Sequence, residues 1–256
     1  MSLLSVRGLD KRFGGVHAVR DLSFDVHPQT VKALIGPNGA GKSTVFNLLT
    51  GFDRPDAGSA SFDGTELVGM PPHRIVRAGV ARTFQESRLF ETMTVEENVL
   101  VGMHHRLKTT FADAAMRTPR VVREEREARE QALHAMRVVG LEPFKDTLAS
   151  DLPHGIRRLV EIARALATDP RLVLLDEPAA GLDGRETQEL AEALLRIRDT
   201  GVTLLVVEHD MGLVMEISDE IVVVDQGRKI AEGPPRIIQK DPAVIEAYLG
   251  EVVDGV

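Results

Sequence analysis

The sequence predicts an α/β fold: a mostly parallel sheet covered by helices, with an antiparallel β unit at the N-terminus and an inserted helical segment. Two observations support this prediction. Short apolar runs such as LVLLD and TLLVVEH alternate with helical patterns such as RETQELAEALLRIRD. Strands that are apolar on both faces and alternate with helices are typical of parallel sheets buried on both sides.

The order of elements can be followed along the chain. SVRGL, AVRDLSFDV and VKALIG have strand patterns separated by glycine and proline breaks. From Glu96 to about Leu148 the pattern is helical and charged, which predicts the inserted segment. EIVVVDQGRKIAEG predicts two strands joined at Gln226-Gly227, and DPAVIEAYLG predicts a short helix.

Composition narrows the function classes. The chain has 256 residues, is 43% hydrophobic and carries a net charge of −8, which argues against general binding of nucleic acid. It has no cysteine, so disulfide frameworks and thiolate chemistry are excluded. No apolar run approaches the roughly 18 residues that a membrane-spanning helix needs. We therefore expect a chain that does not cross a membrane unaided.

A phosphate-binding loop lies between VKALIG and the helix that follows it. GPNGAGKST matches G-x-x-x-x-G-K-[ST] in the strand–loop–helix context that this motif requires. Its backbone N–H groups and the helix N-terminus attract phosphate oxygens, its lysine reaches the β- and γ-phosphates, and its serine can ligate Mg²⁺. The motif predicts a P-loop NTPase that binds nucleotide phosphates and Mg²⁺. The predicted ATP-binding residues are Gly36, Pro37, Asn38, Gly39, Ala40, Gly41, Lys42, Ser43 and Thr44.

The second half of the metal site is predicted at the end of LVLLD. Asp176 ends this apolar strand and could hold Mg²⁺ directly or through water. Glu177 follows at once and would polarise the attacking water. His209 ends the next strand, where it could bond the γ-phosphate or the water, although capping or core roles remain open. Gln85 follows a short strand, and its amide could reach the metal or the water.

The helix predicted in LPHGIRRLVEIARAL has an unusual charge pattern in its first turn. It begins near Gly155 and carries Arg157 and Arg158 in its first turn, where the helix dipole is already positive. An anion is expected at such an end. Pairing of both arginines with Glu161 is the simpler account of the two charges.

GPNGAGKST, TFQE, LPHGIRRLVEIARAL, LVLLDEPAAGLD and VVEHD occur in this order, and together they resemble the ATP-binding subunit of ABC transporters over nearly the whole chain. The resemblance implies one ATPase domain spanning 1–256, with a P-loop NTPase core of the RecA-like kind that binds ATP and Mg²⁺. In it, 1–87 and 160–256 form the β unit and the nucleotide-binding core, and about 88–159 form the helical lobe with the signature loop.

The resemblance also implies roles for single residues. Phe13 would stack on adenine, with a hairpin-core role as the alternative. Gln85 would be catalytic and would link the metal site to the membrane partner. Asp183 would lie in the loop along the interface between two ATPases packed head to tail. Pro153, His154 and Gly155 would form the signature loop that reaches the partner's ATP in trans, so the anion at the helix end would be that ATP.

One departure narrows the family. The usual signature LSGGQ reads LPHGI here, so the serine hydroxyl is lost. With DEPAAGLD, VEHDMGLVMEISDEIVVVDQG and the ending AYLGE, the chain resembles an ATPase of the branched-chain amino acid importers. The implied partners are transmembrane permease subunits, a second and different ATPase, and indirectly a periplasmic or surface substrate-binding protein. The implied location is the cytoplasmic face of the plasma membrane.

Alternatives remain at this stage. ATPases of urea or amide uptake and of lipopolysaccharide export are closely similar in pattern. A soluble ABC-type ATPase acting on nucleic acid is disfavoured by the acidic balance and the absence of cysteine. A nucleotide sensor that does not hydrolyse ATP is disfavoured by the presence of both Glu177 and His209.

Overall fold

The computed structural model describes residues 2–83, 89–103 and 119–253, with side chains up to residue 248. The strands are β1 Leu4–Phe13, β2 Val16–Val26, β3 Val31–Ile35, β4 Ala57–Phe62, β5 Thr65–Glu66, β6 Val80–Arg82, β7 Leu172–Asp176, β8 Thr203–Val207, β9 Glu220–Asp225 and β10 Arg228–Gly233. The helices are α1 Lys42–Leu49, α2 Pro72–Ala78, α3 Val95–Val101, α4 Pro119–Val138, α5 His154–Leu166, α6 Gly184–Asp199, α7 Met211–Ile217, α8 Pro235–Ile238 and α9 Pro242–Val253.

The central sheet has the order β10-β9-β3-β8-β7-β6. Its pairs are parallel except for β10 against β9, so the predicted mostly parallel sheet is confirmed. All five residues of β3, of β7 and of β8 are buried, because side chains of both faces are covered. Leu172 and Leu174 face one core while Val173 and Leu175 face another.

The predicted antiparallel unit is also present. β2, β1, β4 and β5 form a second sheet with antiparallel pairs throughout. Its apolar face shares one core with α1 and with the central sheet, through residues such as Leu22, Phe24, Phe46 and Leu205. This shared core fixes the β1–β2 turn beside the loop that precedes α1.

Helices separate β6 from β7, as the charged pattern predicts. Within the described parts of 89–151 the structure has helices and a single isolated bridge between Thr94 and Leu148. A Thr94–Glu97 capping box starts α3, and each residue bonds the other's backbone N–H. The boundary predicted between 159 and 160 falls inside α5, which is continuous and packs on the same core as β7.

Three strands bring the functional residues together. β7 pairs with β8 in a register that sets Asp176 opposite Val207, and β8 pairs with β3 in a register that sets Val207 opposite Leu34. Their carboxyl ends therefore lie along one edge of the sheet, where ligands bind in folds of this kind. Within the described ranges, no helix is both long enough and apolar enough to span a membrane.

Candidate active site

A cleft of about 450 Å³ lies at this edge of the sheet. One wall is the loop of residues 38–44, and a second is the β1–β2 turn at residues 15–18. Glu177 and His209 close the far side. The cleft therefore joins the predicted phosphate loop to two of the predicted catalytic residues.

The loop owes its shape to glycine at one position in particular. Gly41 is the N-cap of α1 and has φ 102°. A Cβ on Gly41 would lie 2.2 Å from the backbone oxygen of Ala18, so a larger residue would push the loop off the β1–β2 unit. Glycine is thus required both by its backbone angle and by the close approach of a second chain segment.

Lys42 is buried at the base of this loop. Its Nζ donates to the backbone oxygens of Gly36 at 2.6 Å and Pro37 at 2.9 Å. Gly36 and Pro37 are absent from the cleft lining, whereas 38–44 belong to it. Of the nine loop residues predicted to bind ATP, Gly36 and Pro37 hold the lysine, and the other seven line the cleft.

Glu177 and His209 form a direct contact. His209 Nε2 and Glu177 Oε1 are 2.8 Å apart, and the His209 side chain is 42% exposed. This exposure excludes a core role for the histidine. Glu177 has φ 48°, a conformation that is costly for a residue other than glycine, and its backbone N–H donates to Val207 at 2.9 Å. Such strained positions concentrate at functional sites.

Glu208 supports this pair, and the sequence did not reveal it. Its buried carboxylate accepts hydrogen bonds from the backbone N–H of Ala179 at 2.6 Å and of His209 at 2.9 Å. Burial raises the pKa of Glu208, backbone hydrogen bonds oppose the rise, and the charge of Glu177 adds to it. An acid at the end of an apolar strand was the available signal, but it resembles an ordinary strand end.

Asp176 is buried one residue before Glu177 and is absent from the cleft lining. Its Oδ2 accepts a hydrogen bond from Arg82 Nη2 at 2.8 Å. Arg82 also donates to Asn47 Oδ1 at 2.8 Å and to Thr50 Oγ1 at 3.1 Å, and so ties α1 to β6 and β7. The sequence did not predict a role for Arg82.

The donors fit a magnesium ion held together with nucleotide phosphates. Ser43 supplies a hydroxyl in the cleft lining, and Asp176 supplies a carboxylate at the end of β7. Oxygen donors of these two kinds suit Mg²⁺, which retains waters and binds few protein ligands. Asp176 does not line the cleft, and this favours contact with the ion through water over a direct bond.

Phe13 and Gln85 stand apart from this cluster. Phe13 is 46% exposed at the end of β1, so the hairpin-core alternative is wrong. Lys11 Nζ lies 5.1 Å from the ring centroid of Phe13, and the cleft lining begins two residues later at Gly15. Gln85 lies outside the described residues.

The predicted signature loop, residues 153–155, lies at the start of α5. Pro153 is the N-cap of α5, but its side chain makes no capping hydrogen bond, and the first turn of the helix contains no acidic residue. The backbone N–H of Gly155 instead donates to Glu186 Oε1 at 3.1 Å. An anion is therefore present at this helix end within the chain itself, because α6 brings the Glu186 carboxylate to it.

The predicted pairing of both arginines with Glu161 is half right. Arg158 and Glu161 are buried and lie 2.9 Å apart. Arg157 pairs with Glu91 at 3.2 Å, because it lies on the other side of the first turn. Asp183 is the N-cap of α6, and its side chain accepts from the backbone N–H of Glu186 at 2.8 Å.

Comparisons with known proteins agree with this geometry. The family described as "ABC transporter" matches residues 19–180, and the family described as "Branched-chain amino acid ATP-binding cassette transporter" matches residues 228–254. The chain is 49% identical to the high-affinity branched-chain amino acid transport ATP-binding protein BraF of Pseudomonas aeruginosa, over 97% of this chain and 98% of that protein. It is 48% identical to LivG of Escherichia coli strain K12, with the same coverage.

Solved structures match over almost the whole chain. A nucleotide-free ATP-binding cassette from an ABC transporter has a TM-score of 0.84 at 32% identity, covering 97% of this chain and 99% of that chain. The ADP conformation of an ATP-binding cassette of an ABC transporter has a TM-score of 0.85 at 31% identity, covering 98% and 99%. The family match spans most of the chain, both relatives align end to end, and the cleft has the elements of a nucleotide site. The chain therefore belongs to the ATP-binding subunits of ABC transporters, which are ATPases.

Proposed function

We propose that this chain hydrolyses ATP as the energy-coupling subunit of an importer for branched-chain amino acids. The observation that carries the ATPase part is the contact between Glu177 and His209, 2.8 Å long, at the side of the cleft facing residues 38–44. The cargo rests on the relatives, since BraF and LivG are named for high-affinity branched-chain amino acid transport.

In this proposal the cleft binds the triphosphate of ATP. Phosphate oxygens would accept hydrogen bonds from the backbone N–H groups of 38–41 and of the α1 N-terminus. Lys42 would add a positive charge beside the β- and γ-phosphates. Ser43, with Asp176 acting through water, would hold Mg²⁺. When bound, the ion neutralises developing charge on the phosphates.

Glu177 is the proposed general base. It orients and polarises the water that attacks the γ-phosphate, and His209 holds the Glu177 carboxylate and contacts the same phosphate. Phe13 is the proposed stacking residue for adenine, because its ring is exposed at the end of β1, two residues before the cleft. Gln85 is proposed to join the metal site to the permease.

A head-to-tail pair completes the proposal. The signature loop (Pro153, His154, Gly155) and the loop at Asp183 would face the ATP of a second, different ATPase subunit. Transmembrane permease subunits at the cytoplasmic face of the membrane, supplied by a substrate-binding protein, would complete the importer.

The permease is proposed to dock beside residues 88–97. Phe90, four residues before Thr94, is 49% exposed, and Leu148, which forms the isolated bridge with Thr94, is 41% exposed. Large apolar side chains exposed together are typical of a protein interface. Phe90→Ser should leave ATP hydrolysis by the purified subunit unchanged and lower transport.

The test is uptake in a strain that lacks this subunit. Radiolabelled leucine and radiolabelled urea are supplied separately, and the strain carries the wild-type subunit, Glu177→Gln or empty vector. Loss of leucine uptake that only the wild-type subunit restores is the expected result. Loss of urea uptake instead would contradict the proposed cargo, and unchanged uptake of both would contradict the proposed function.

A further inference from the structure

Two loops that the proposed function places against the partner ATPase are fastened to each other by one carboxylate. Glu186 Oε1 accepts from the backbone N–H of Gly155 at 3.1 Å, and Glu186 Oε2 accepts from that of Asp183 at 3.1 Å. Gly155 belongs to the signature loop, and Asp183 ends the loop that precedes α6. A single side chain thus spans both loops.

The fit around this carboxylate is close. A Cβ on Gly155 would lie 2.8 Å from Glu186 Oε1 and within 3.0 Å of two further atoms of that side chain. His154 Nε2 lies 3.3 Å from the backbone oxygen of Ala180, a second contact between the two loops. Glycine at 155 is therefore what allows Glu186 to reach the helix end.

The charge of Glu186 is directed at this helix end. Positive side chains nearby are engaged elsewhere, Arg157 by Glu91 and Arg158 by Glu161. Within the described part of the chain, no ion pair involves Glu186. Its negative charge is offset by the partial positive charges of two helix N-termini, that of α5 at Gly155 and that of α6 at Asp183.

We propose that Glu186 limits how tightly this signature loop takes the partner's ATP. The inference rests on the proposed head-to-tail pair. The carboxylate occupies the N–H of Gly155, which a phosphate in trans would need, and it repels that phosphate. Closure over ATP therefore requires the Glu186 carboxylate to leave the N–H of Gly155 and the positive helix end that attracts it. This cost makes the signature loop of this chain the weaker half of the ATP-dependent contact.

The test changes the charge and keeps the shape. Glu177→Gln, which blocks turnover, serves as the parent protein. Glu186→Gln is added to it, since the glutamine Oε1 can still accept from Gly155. Glu189→Gln is the matched control, because it removes one acid from the next turn of α6, where Glu189 pairs with Arg185 at 3.4 Å. Sedimentation velocity with Mg-ATP over a range of protein concentrations gives the dimer dissociation constant.

We expect Glu186→Gln to tighten ATP-dependent association by about tenfold and Glu189→Gln to leave it unchanged, given the size of charge interactions near a protein surface. The gain should shrink in 1 M NaCl. A purely structural role predicts the opposite sign, since the substitution loses a hydrogen bond to Asp183. Equal or weaker association, including none in either protein, would overturn the inference.

Calorimetric titration with Mg-ATP separates this result from failure of the proposed function. If the parent protein binds ATP and Glu186→Gln brings no gain, only the inference fails. If the parent does not bind ATP, the proposed function fails and the inference fails with it.

Discussion

His209 Nε2 and Glu177 Oε1 lie 2.8 Å apart, although the two residues are 32 positions apart in the chain. The contact follows from strand register. β7 and β8 are adjacent and parallel, with Asp176 opposite Val207, so the residues after each strand emerge side by side. The backbone bond from Glu177 to Val207 fixes this arrangement.

His209→Ala should lower kcat for ATP hydrolysis by about 100-fold, the usual range for a residue that assists proton transfer. ATP affinity should change little, because the phosphate loop and Lys42 remain. His134→Ala is the control, since His134 is exposed on α4. Steady-state phosphate release and calorimetric ATP binding check both parts, and a His209→Ala protein with full kcat would contradict the role of the pair.

Glu208→Gln should lower kcat about tenfold and destabilise the fold by about 1–3 kcal/mol. The glutamine amide would turn an N–H group toward the N–H donors of Ala179 and His209, which now share the carboxylate. Urea unfolding and phosphate release provide the two measurements. A variant with unchanged stability and turnover would show that this buried carboxylate is dispensable.

Arg82→Met should destabilise the protein by about 3 kcal/mol, because Asp176 would be left as an uncompensated buried charge. The hydrogen bonds to Asn47 and Thr50 would be lost as well. Arg77→Met on α2 is the control, since Arg77 is exposed and surface changes stay within about 0.5 kcal/mol. Equal unfolding midpoints in urea for the two variants would argue against this network.

Glu232 should make stability depend on pH. Burial alone would raise the pKa of Glu232, but the hydrogen bonds and charges of Lys229 and Lys32 outweigh it and hold that pKa below its ordinary value of 4.5. A lowered acid pKa contributes stability that is present above the ordinary value and lost as pH falls through the folded value.

Glu232→Gln should therefore flatten the acid limb of the stability curve and cost about 2 kcal/mol at pH 7. Lys32, buried, would retain Glu220 at 3.1 Å and the backbone oxygen of Asp25 at 2.6 Å. Urea unfolding from pH 7 to well below pH 4.5 is the measurement, with Glu246→Gln on the exposed surface of α9 as the control. Parallel curves for wild type and Glu232→Gln would refute the assignment.

The fold was predictable because its signals are local. Uniformly apolar β7 and β8, and the glycine-rich loop before α1, indicate their roles without reference to the rest of the chain. Glu177 and His209 could be singled out because each follows the end of such a strand. To predict that the two side chains are in contact, one must also know that β7 and β8 are adjacent, and the sequence leaves the strand order open.

The missed contacts join residues distant in sequence. Arg82 and Asp176 are 94 positions apart, and Gly155 and Glu186 are 31 apart. The pattern Asp183-Gly-Arg-Glu186 indicates a capping box at the start of α6, and the structure has one. It gives no sign that the same carboxylate reaches α5, because this depends on how the two helices pack.

The most direct test of the account is single-turnover hydrolysis of Mg-ATP by the purified subunit and by Glu177→Gln, with ATP binding measured in parallel. We predict that both proteins bind ATP with similar affinity, and that phosphate release in Glu177→Gln is at least about 100-fold slower, because the base at the cleft is lost. Equal rates of phosphate release in two proteins that both bind ATP would contradict the assignment of Glu177 and, with it, the mechanism proposed for this cleft.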